Sequence, residues 1–407
     1  MKKPSHVSII VQFILLVGIV IASSAFVNSL WGGAEESLSE EREFEWRGDM
    51  TLSQFAQTNN IPRPVMKEVF SLETPGDLQK KLSAFEGKRV RISRNLNKAL
   101  ALSNEEATKN WIKIRIKFGL WFLFLVIVFI LLRKKSITPV KRRILYLCAI
   151  VIFGIILGSD PSPMGTVKDA IALYGAQRVI FKPRLVAMFV FLAMVFLANK
   201  FICAWGCQLG VLQDMIFRLN RNIKDTRGAL KQYKIPFVIT NTIRIIFFLV
   251  FTGIAFLWGF DLVDKIDPFR VYKPLKILLG GWVFLSLLLL ASLFVYRPWC
   301  HLFCPFGLIG WIVEKISLFK IKVDYNTCIE CQACAKACPS TVMEAILKQD
   351  RVIPDCFACS TCVHVCPTNS INLGFGKRTP PPPGKFEKKP APVSETGDKN
   401  PSSDSGT

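Results

Sequence analysis

Apolar residues gather into six stretches separated by polar and basic segments. They run from Val7 to Phe26, about Phe118 to Leu132, about Ile144 to Leu157, about Leu185 to Ile202, about Ile235 to Phe260 and about Leu275 to Tyr296. A helix needs roughly 20 apolar residues to cross the hydrocarbon core, so each stretch reads as a span, the second and third being short for it. Hydrocarbon offers no partner to an open sheet edge, so the spans must be helices. The first stretch follows Lys2 and Lys3 and ends near Ser23-Ser24-Ala25, which would also suit a cleaved signal peptide. Its length favours an uncleaved anchor.

The basic residues between the stretches predict orientation. Six Lys and Arg, with no acid, lie between Arg133 and Arg143, and seven lie between Lys200 and Lys234. The alternate loops, Ser159 to Arg184 and Asp261 to Lys276, hold four each. The positive-inside rule puts the richer pair, and with six spans both termini, in the cytoplasm. Lys109, Lys113, Arg115 and Lys117 run against that rule. The segment Trp31 to Ile116 then lies outside. It starts acidic (Glu35, Glu36, Glu40, Glu41, Glu43, Glu45) and afterwards reads as a small helical domain. Asp49 or Thr51 caps one helix through Gln57, and Pro62 sits near the start of another. At the other end, Lys377 to Thr407 carries Pro380 to Pro383 and then polar residues, which predicts a disordered tail.

Composition narrows the class. The 407 residues are 51% hydrophobic and 20% charged, with a mean hydropathy of +0.35. The charge content excludes a chain that is membrane from end to end, and the positive hydropathy argues against a wholly soluble one. The formal net charge of +22 reports cytoplasmic loops on such a chain rather than nucleic-acid binding. Thirteen cysteines, an odd number, make a closed disulfide framework awkward.

The cysteines are patterned. Cys328, Cys331, Cys334 and Cys338 follow C-x2-C-x2-C-x3-C with Pro339 next, and Cys356, Cys359, Cys362 and Cys366 repeat the pattern with Pro367 next. This is the bacterial two-cluster ferredoxin run, in which the fourth cysteine serves the other cluster. One cluster is then expected on Cys328, Cys331, Cys334 and Cys366, and a second on Cys338, Cys356, Cys359 and Cys362. Structural zinc prefers paired knuckles with a long gap, and a reducing cytoplasm disfavours disulfides. Over about Val323 to Leu373 the segment resembles the bacterial two-[4Fe–4S] ferredoxin fold.

A second pair of motifs closes the fourth and sixth stretches. Cys203-Ala-Trp-Gly-Cys207-Gln-Leu-Gly210 and Cys300-His-Leu-Phe-Cys304-Pro-Phe-Gly307 are both C-x3-C-x2-G. In a continuous helix, i and i+4 share one face and the two sulfurs become neighbours. Asp160-Pro161 and Asp267-Pro268 precede the two units, so the region reads as a duplicated unit of span, Asp-Pro loop, span and C-x3-C. Two such repeats bring Cys203, Cys207, Cys300 and Cys304 to one membrane face, as a redox or metal site. A metal, an extra cluster and reversible disulfides all suit it, and so do thiols that merely pack helix ends. Cys148, alone inside a span, reads as packing, and Arg244 in the fifth span as a snorkelling side chain.

Several spans, two C-x3-C motifs at helix ends and a C-terminal two-cluster segment together resemble the membrane-bound polyferredoxins of the NapH, NosR and CcoG types. The resemblance covers roughly Ile144 to Leu373. It implies that the eight triplet-motif cysteines ligate clusters, that the four C-x3-C cysteines matter for function, and that a quinone and redox proteins are partners. Gln208 stands where the family's first C-x3-C is followed by Pro. Six spans exceed the four of the NapH type, no covalent-flavin motif of the NosR type occurs, and the tail is too short for the extra domain of the CcoG type.

No C-x-x-C-H occurs, and His6, His301 and His364 lie away from the span centres, so no haem is expected. No phosphate-binding glycine loop is present. The expected fold is mostly α: a polytopic helical bundle plus a small α+β ferredoxin-like domain. The expected segments are an anchor at 1–30, an outer helical segment at 31–116, a bundle at 117–320, a two-[4Fe–4S] domain at 321–375 and a tail at 376–407. The expected function is electron transfer between a membrane quinone pool, or a membrane partner, and cytoplasmic [4Fe–4S] clusters, at the bacterial cytoplasmic membrane. A copper or iron reductase serving assembly of a respiratory enzyme, and a membrane redox sensor, are the alternatives.

Overall fold

The structure is a computed structural model and describes residues 5–31, 43–72, 74–107, 109–221 and 228–386. The acidic run at Glu35, Glu36, Glu40 and Glu41, and the tail beyond Phe386, lie outside the described residues.

The chain starts with α1 (His6–Trp31) and then three helices, α2 (Leu52–Thr58), α3 (Arg63–Phe70) and α4 (Arg89–Ala107). Thr51 caps α2 with a full capping box to Gln54, and Pro62 stands at the start of α3 without a side-chain cap bond, where the sequence signals predict helix starts. Leu52, Phe55, Met66 and Leu96 are wholly buried in a core that these helices build for themselves.

The bundle follows. It comprises α5 (Trp111–Arg133), α6 (Pro139–Ala149), which runs into a π-helical stretch at Ile150–Ile156, α7 (Pro163–Gln177), α8 (Lys182–Ala198), α9 (Phe201–Trp205), α10 (Gln208–Leu219), α11 (Phe237–Trp258), α12 (Leu279–Phe294), α13 (Pro298–Leu302) and α14 (Pro305–Glu314). Asn110, Thr138 and Ser162 cap α5, α6 and α7, each side-chain oxygen accepting a backbone N–H three residues on. Among the described residues three helices, α1, α5 and α11, are long and apolar enough to cross a membrane. The third, fourth and sixth apolar stretches form shorter helices.

Three expectations need correction. The outer loop from Ser159 to Arg184 contains a 15-residue helix, α7, packed against α8, α11 and α14. It carries no apolar stripe because it is covered on most sides; Gly175 lies so close to α11 that an added Cβ would sit 2.4 Å from the Ala255 carbonyl oxygen. Cys148 is exposed on α6 and packs no core. The tail does not leave the fold at residue 376. Arg378 Nε donates to the Ile321 carbonyl, Lys385 Nζ to those of Tyr325 and Cys328, and the Phe386 ring meets Tyr325.

The two Asp-Pro loops clasp each other. Lys273, in the second, pairs with Asp160 of the first, and Lys168, after the first, lies 3.3 Å from Asp267 of the second. Lys117, one of the basic residues that run against the positive-inside pattern, is buried and donates to the carbonyls of Gly158 and Asp160 at 2.7 and 3.2 Å. Its charge is consumed within the fold.

The C-terminal part holds β1 (Phe319–Val323), the short helices α15 (Ala333–Ala337), α16 (Val342–Lys348) and α17 (Thr361–Val365), and β2 (Ile371–Phe375). The strands pair antiparallel, Phe319 opposite Phe375 and Val323 opposite Ile371. This closes the segment into an α+β unit and returns its end to its start.

Candidate functional site

Each C-x3-C unit is a short helix, a turn and a new helix. Cys203 lies in α9 and Cys300 in α13, whereas Cys207 and Cys304 are the N-caps of α10 and α14. The pairs therefore do not ride one continuous helix. The helix breaks between them, which turns the second thiol toward the free N–H groups of the next helix. Cys304 Sγ accepts the Gly307 N–H at 3.3 Å. Pro305 and Gln208 occupy the same first helical position, and the two caps have nearly the same backbone, φ −67° and ψ 117° at Cys304 against −76° and 114° at Cys207. The turn is thus the same despite the missing proline. The Gln208 amide is used elsewhere, donating to the Phe153 carbonyl at 2.9 Å.

The glycine that ends each motif is required by close approach. A Cβ at Gly210 would sit 2.6 Å from the Cys203 carbonyl oxygen, and one at Gly307 would sit 2.7 Å from that of Cys300. Backbone cannot yield as a side chain can. Gly210→Ala and Gly307→Ala are each expected to cost about 1–3 kcal/mol, as overpacking does. Thermal unfolding in detergent reads that loss; Gly253→Ala, with open space at its Cβ, is the control.

Buried cations tie the two units together reciprocally. Arg297, three residues before Cys300, donates to the Cys203 carbonyl at 2.6 Å. Lys200, three residues before Cys203, donates to the Gly307 carbonyl. Each unit's cation thus holds the other unit's loop. All four thiols are buried at 7–8% exposure. Burial pushes the Cys300 thiol up, and the nearby thiols of Cys304, Cys207 and Cys203 push the same way.

Two carboxylates compensate the cations. Asp214 is wholly buried and accepts from Arg218, Arg297, Tyr146 and Tyr296. Asp355 is 1% exposed and pairs with Lys200 and Arg244. Arg244 is therefore not a snorkelling side chain; its guanidinium points into the protein toward a partner from the cysteine-rich segment. Of these residues only Arg244 stands out in the sequence, and there as a snorkelling side chain. The one signal available was the cation three positions before the first cysteine, present in both motif copies.

The eight C-terminal cysteines divide into two sets. Cys328, Cys331, Cys334 and Cys366 line one cavity, together with Ile329, Thr368 and Phe386. Burial pushes the Cys334 thiol up to about 11, and Cys366, Cys328 and Cys331 add to it. Burial alone would raise Cys366 as well, but hydrogen bonds from Thr368 and Ser370 outweigh it and hold that thiol below its usual value. In the other set burial raises Cys362, and the thiols of Cys338, Cys359 and Cys356 act on it more strongly than that of Cys334. The fourth cysteine of each run thus lies with the other run's triplet. Four soft sulfur donors around one space, with hydrogen-bond donors aimed at a sulfur, suit an iron–sulfur cluster.

The second set is fastened to the bundle through buried contacts. The Lys200 N–H donates to the Cys356 carbonyl, and Glu314 Oε1 accepts the Cys356 N–H at 2.9 Å. Trp205 Nε1 reaches the Ala358 carbonyl, and Arg218 reaches Thr361. The first set faces outward, with Cys331 exposed. Among the described residues no three His, Cys, Asp or Glu side chains converge on a point that one metal ion could occupy.

Comparison with known proteins places these sites in a class. Residues 320–372 match the family described as "4Fe-4S dicluster domain", and residues 183–224 and again 278–324 match one described as "4Fe-4S binding domain". The chain carries 4Fe-4S cluster-binding domains. It is 31% identical over 173 residues to "Putative electron transport protein YccM" of Escherichia coli (strain K12), a match covering 40% of this chain and 48% of that protein. The chain thus spans about half the length of that relative. Two uncharacterized proteins of Methanocaldococcus jannaschii are 24% identical over 51% of this chain and 75% of theirs, and 25% identical over 38% and 64%. No solved structure matches.

Proposed function

We propose that the protein is a membrane-bound iron–sulfur electron-transfer protein, exchanging electrons between a membrane quinone pool, or a membrane partner, and redox proteins on the cytoplasmic side. The observation that supports it best is the crosswise grouping of the eight cysteines into two four-thiol sets, one of them seated on the apolar bundle. Cys328, Cys331, Cys334 and Cys366 would hold one [4Fe–4S] cluster, and Cys338, Cys356, Cys359 and Cys362 the other. A bound cluster takes up or releases one electron with little rearrangement. The chain's own part is to supply thiolates, to aim Thr368 and Ser370 at Cys366, and to exclude water from Cys338, Cys356 and Cys362, which are at most 9% exposed. The name of the Escherichia coli relative points the same way. The basic loops between Arg133 and Arg143 and between Lys200 and Lys234 support a cytoplasmic location for the cysteine-rich unit.

The test is anaerobic iron and sulfide analysis with EPR of the reduced full-length protein, followed by reduction with a quinol. A quinol-generated cluster signal supports exchange with the quinone pool; reduction by dithionite alone would turn the search to another membrane donor. The ligand sets are tested by single substitutions. Cys366→Ser is expected to abolish the cluster of Cys328, Cys331 and Cys334, and Cys338→Ser the other, each removing about four irons. In both variants the magnetic interaction between the clusters disappears. Loss of the Cys356–Cys362 cluster on Cys366→Ser would show the crosswise pairing to be wrong.

A further inference from the structure

We propose that Thr361, held in place by Arg218, donates a hydrogen bond to the Cys359 sulfur and thereby raises the reduction potential of the second cluster. The inference rests on the reading of Cys338, Cys356, Cys359 and Cys362 as one ligand set, and adds to it two residues that tune that set from outside the cysteine pattern.

Three hydroxyl residues stand two positions after a cysteine of the triplet runs. Ser340 Oγ lies 3.7 Å from Cys338 Sγ, Thr361 Oγ1 lies 3.4 Å from Cys359 Sγ, and Thr368 Oγ1 lies 3.7 Å from Cys366 Sγ. Thr361 is the nearest. Among the described residues it is also the one of the three that a guanidinium holds, with Arg218 Nη2 donating to its oxygen at 3.0 Å. Arg218 is fixed in turn. Its Nε donates to Asp214 at 2.6 Å, and Asp214 also accepts from Arg297 at 2.7 Å. Thr361 and Asp214 are wholly buried, and Arg218 is 4% exposed. A residue of the bundle thus sets the orientation of a hydroxyl in the cysteine-rich unit.

The direction of the Thr361 bond follows from counting hydrogens. A threonine hydroxyl has one hydrogen to give and two lone pairs to offer. Arginine carries only donors, so Arg218 takes a lone pair and leaves the hydrogen for another acceptor. A Cys359 thiol could donate to the second lone pair. A Cys359 thiolate on iron has no hydrogen, so the hydroxyl must donate to the sulfur. Thr368 is not locked in this way, since its hydroxyl also meets Ser370 Oγ at 2.6 Å.

One-electron reduction breaks no bond and adds one negative charge, which the sulfurs share. A donor aimed at a sulfur stabilises the reduced form more than the oxidised one, so the potential rises. Exposed sulfurs receive such donors from water. Cys338, Cys356 and Cys362 are at most 9% exposed, so in this set a protein donor counts for more, and in a dry surrounding it acts more strongly.

The experiment is anaerobic redox potentiometry with EPR on the full chain in detergent, with iron counted for every variant. Thr361→Val, which keeps the shape and removes the hydroxyl, is expected to move one of the two midpoints to a more negative potential and leave the other in place. Thr361→Ser should restore it. Thr368→Val should lower the other midpoint instead. Arg218→Lys keeps the charge but has one nitrogen, which cannot serve Asp214 and Thr361 together. It should lower the same midpoint as Thr361→Val, by less, and add nothing to it in the double variant. Unchanged midpoints in Thr361→Val at about eight irons overturn the inference and leave the proposed function standing. So does a serine variant that behaves like the valine one, because packing and not the hydroxyl would then matter. Should Thr361→Val lose its iron, Arg218→Lys decides, and an unchanged midpoint there overturns the inference. An unaltered protein without iron–sulfur clusters would instead overturn the functional reading itself.

Discussion

Asp355→Ala is expected to loosen the cysteine-rich domain from the bundle, at a cost of about 3–5 kcal/mol, the usual scale for removing one partner of a buried ion pair. The cost comes from what is left behind. Lys200 and Arg244 are 0% and 1% exposed, and both direct their charge to this one carboxylate. Burial would raise the Asp355 carboxyl, but the two cations hold it down at about 2, so it is charged at any working pH. Without it, two cations remain in a dry contact. Lys200 also holds the Gly307 carbonyl, so the disturbance should reach the second C-x3-C loop. Limited proteolysis within 321–375 should quicken, and the unfolding midpoint in detergent should fall. Glu344→Gln breaks an exposed pair with Lys348 and is the control, expected to change stability by at most about 0.5 kcal/mol. Equal effects in the two variants would show that the buried pair does not hold the domains together.

Asp214→Ala should be at least as damaging, and its effect should centre on the first C-x3-C loop. Its two oxygens accept from Arg218 Nε at 2.6 Å, Arg297 Nη2 at 2.7 Å, Tyr146 at 2.8 Å and Tyr296 at 3.0 Å. Alanine removes the buried carboxylate that Arg218 and Arg297 pair with and the acceptor of two hydroxyls, again about 3–5 kcal/mol for the charges alone. Arg297 is the residue that holds the Cys203 carbonyl, so the first C-x3-C loop should loosen together with the loss of stability. Tyr146→Phe removes one neutral donor and leaves the charges paired, and should cost about 1 kcal/mol. A variant series in which Tyr146→Phe equals Asp214→Ala would mean that packing, not charge, decides the stability of this core.

Legibility in the sequence followed the range of the interactions. The triplet spacing is local chemistry: three thiols within seven residues, followed by a fourth and a proline, are readable because one loop supplies them. The helix start at Thr51 is equally readable, since a cap and its N–H lie three residues apart. The apolar stretches marked the bundle, but their lengths misled wherever a helix is covered by protein rather than by lipid. That is why the stretch from Ser159 to Arg184 reads as a loop although it forms α7.

The sequence by itself determined the chemistry this protein can host: eight thiols in the two-cluster pattern, two C-x3-C motifs in a duplicated unit, and helices apolar enough for a membrane. Only the tertiary structure decided how those parts meet. Arg244 looked like a stray charge in an apolar helix because its partner, Asp355, lies 111 residues away. Arg297 and Cys203, 94 residues apart, and Lys200 and Gly307, 107 apart, carry no joint signal along the chain. A buried charge must find its counter-charge wherever folding delivers one, and sequence distance places no limit on that. Spacing therefore reveals a ligand set built from one loop, whereas a site built from two repeats and welded by buried ions appears only once the repeats have packed.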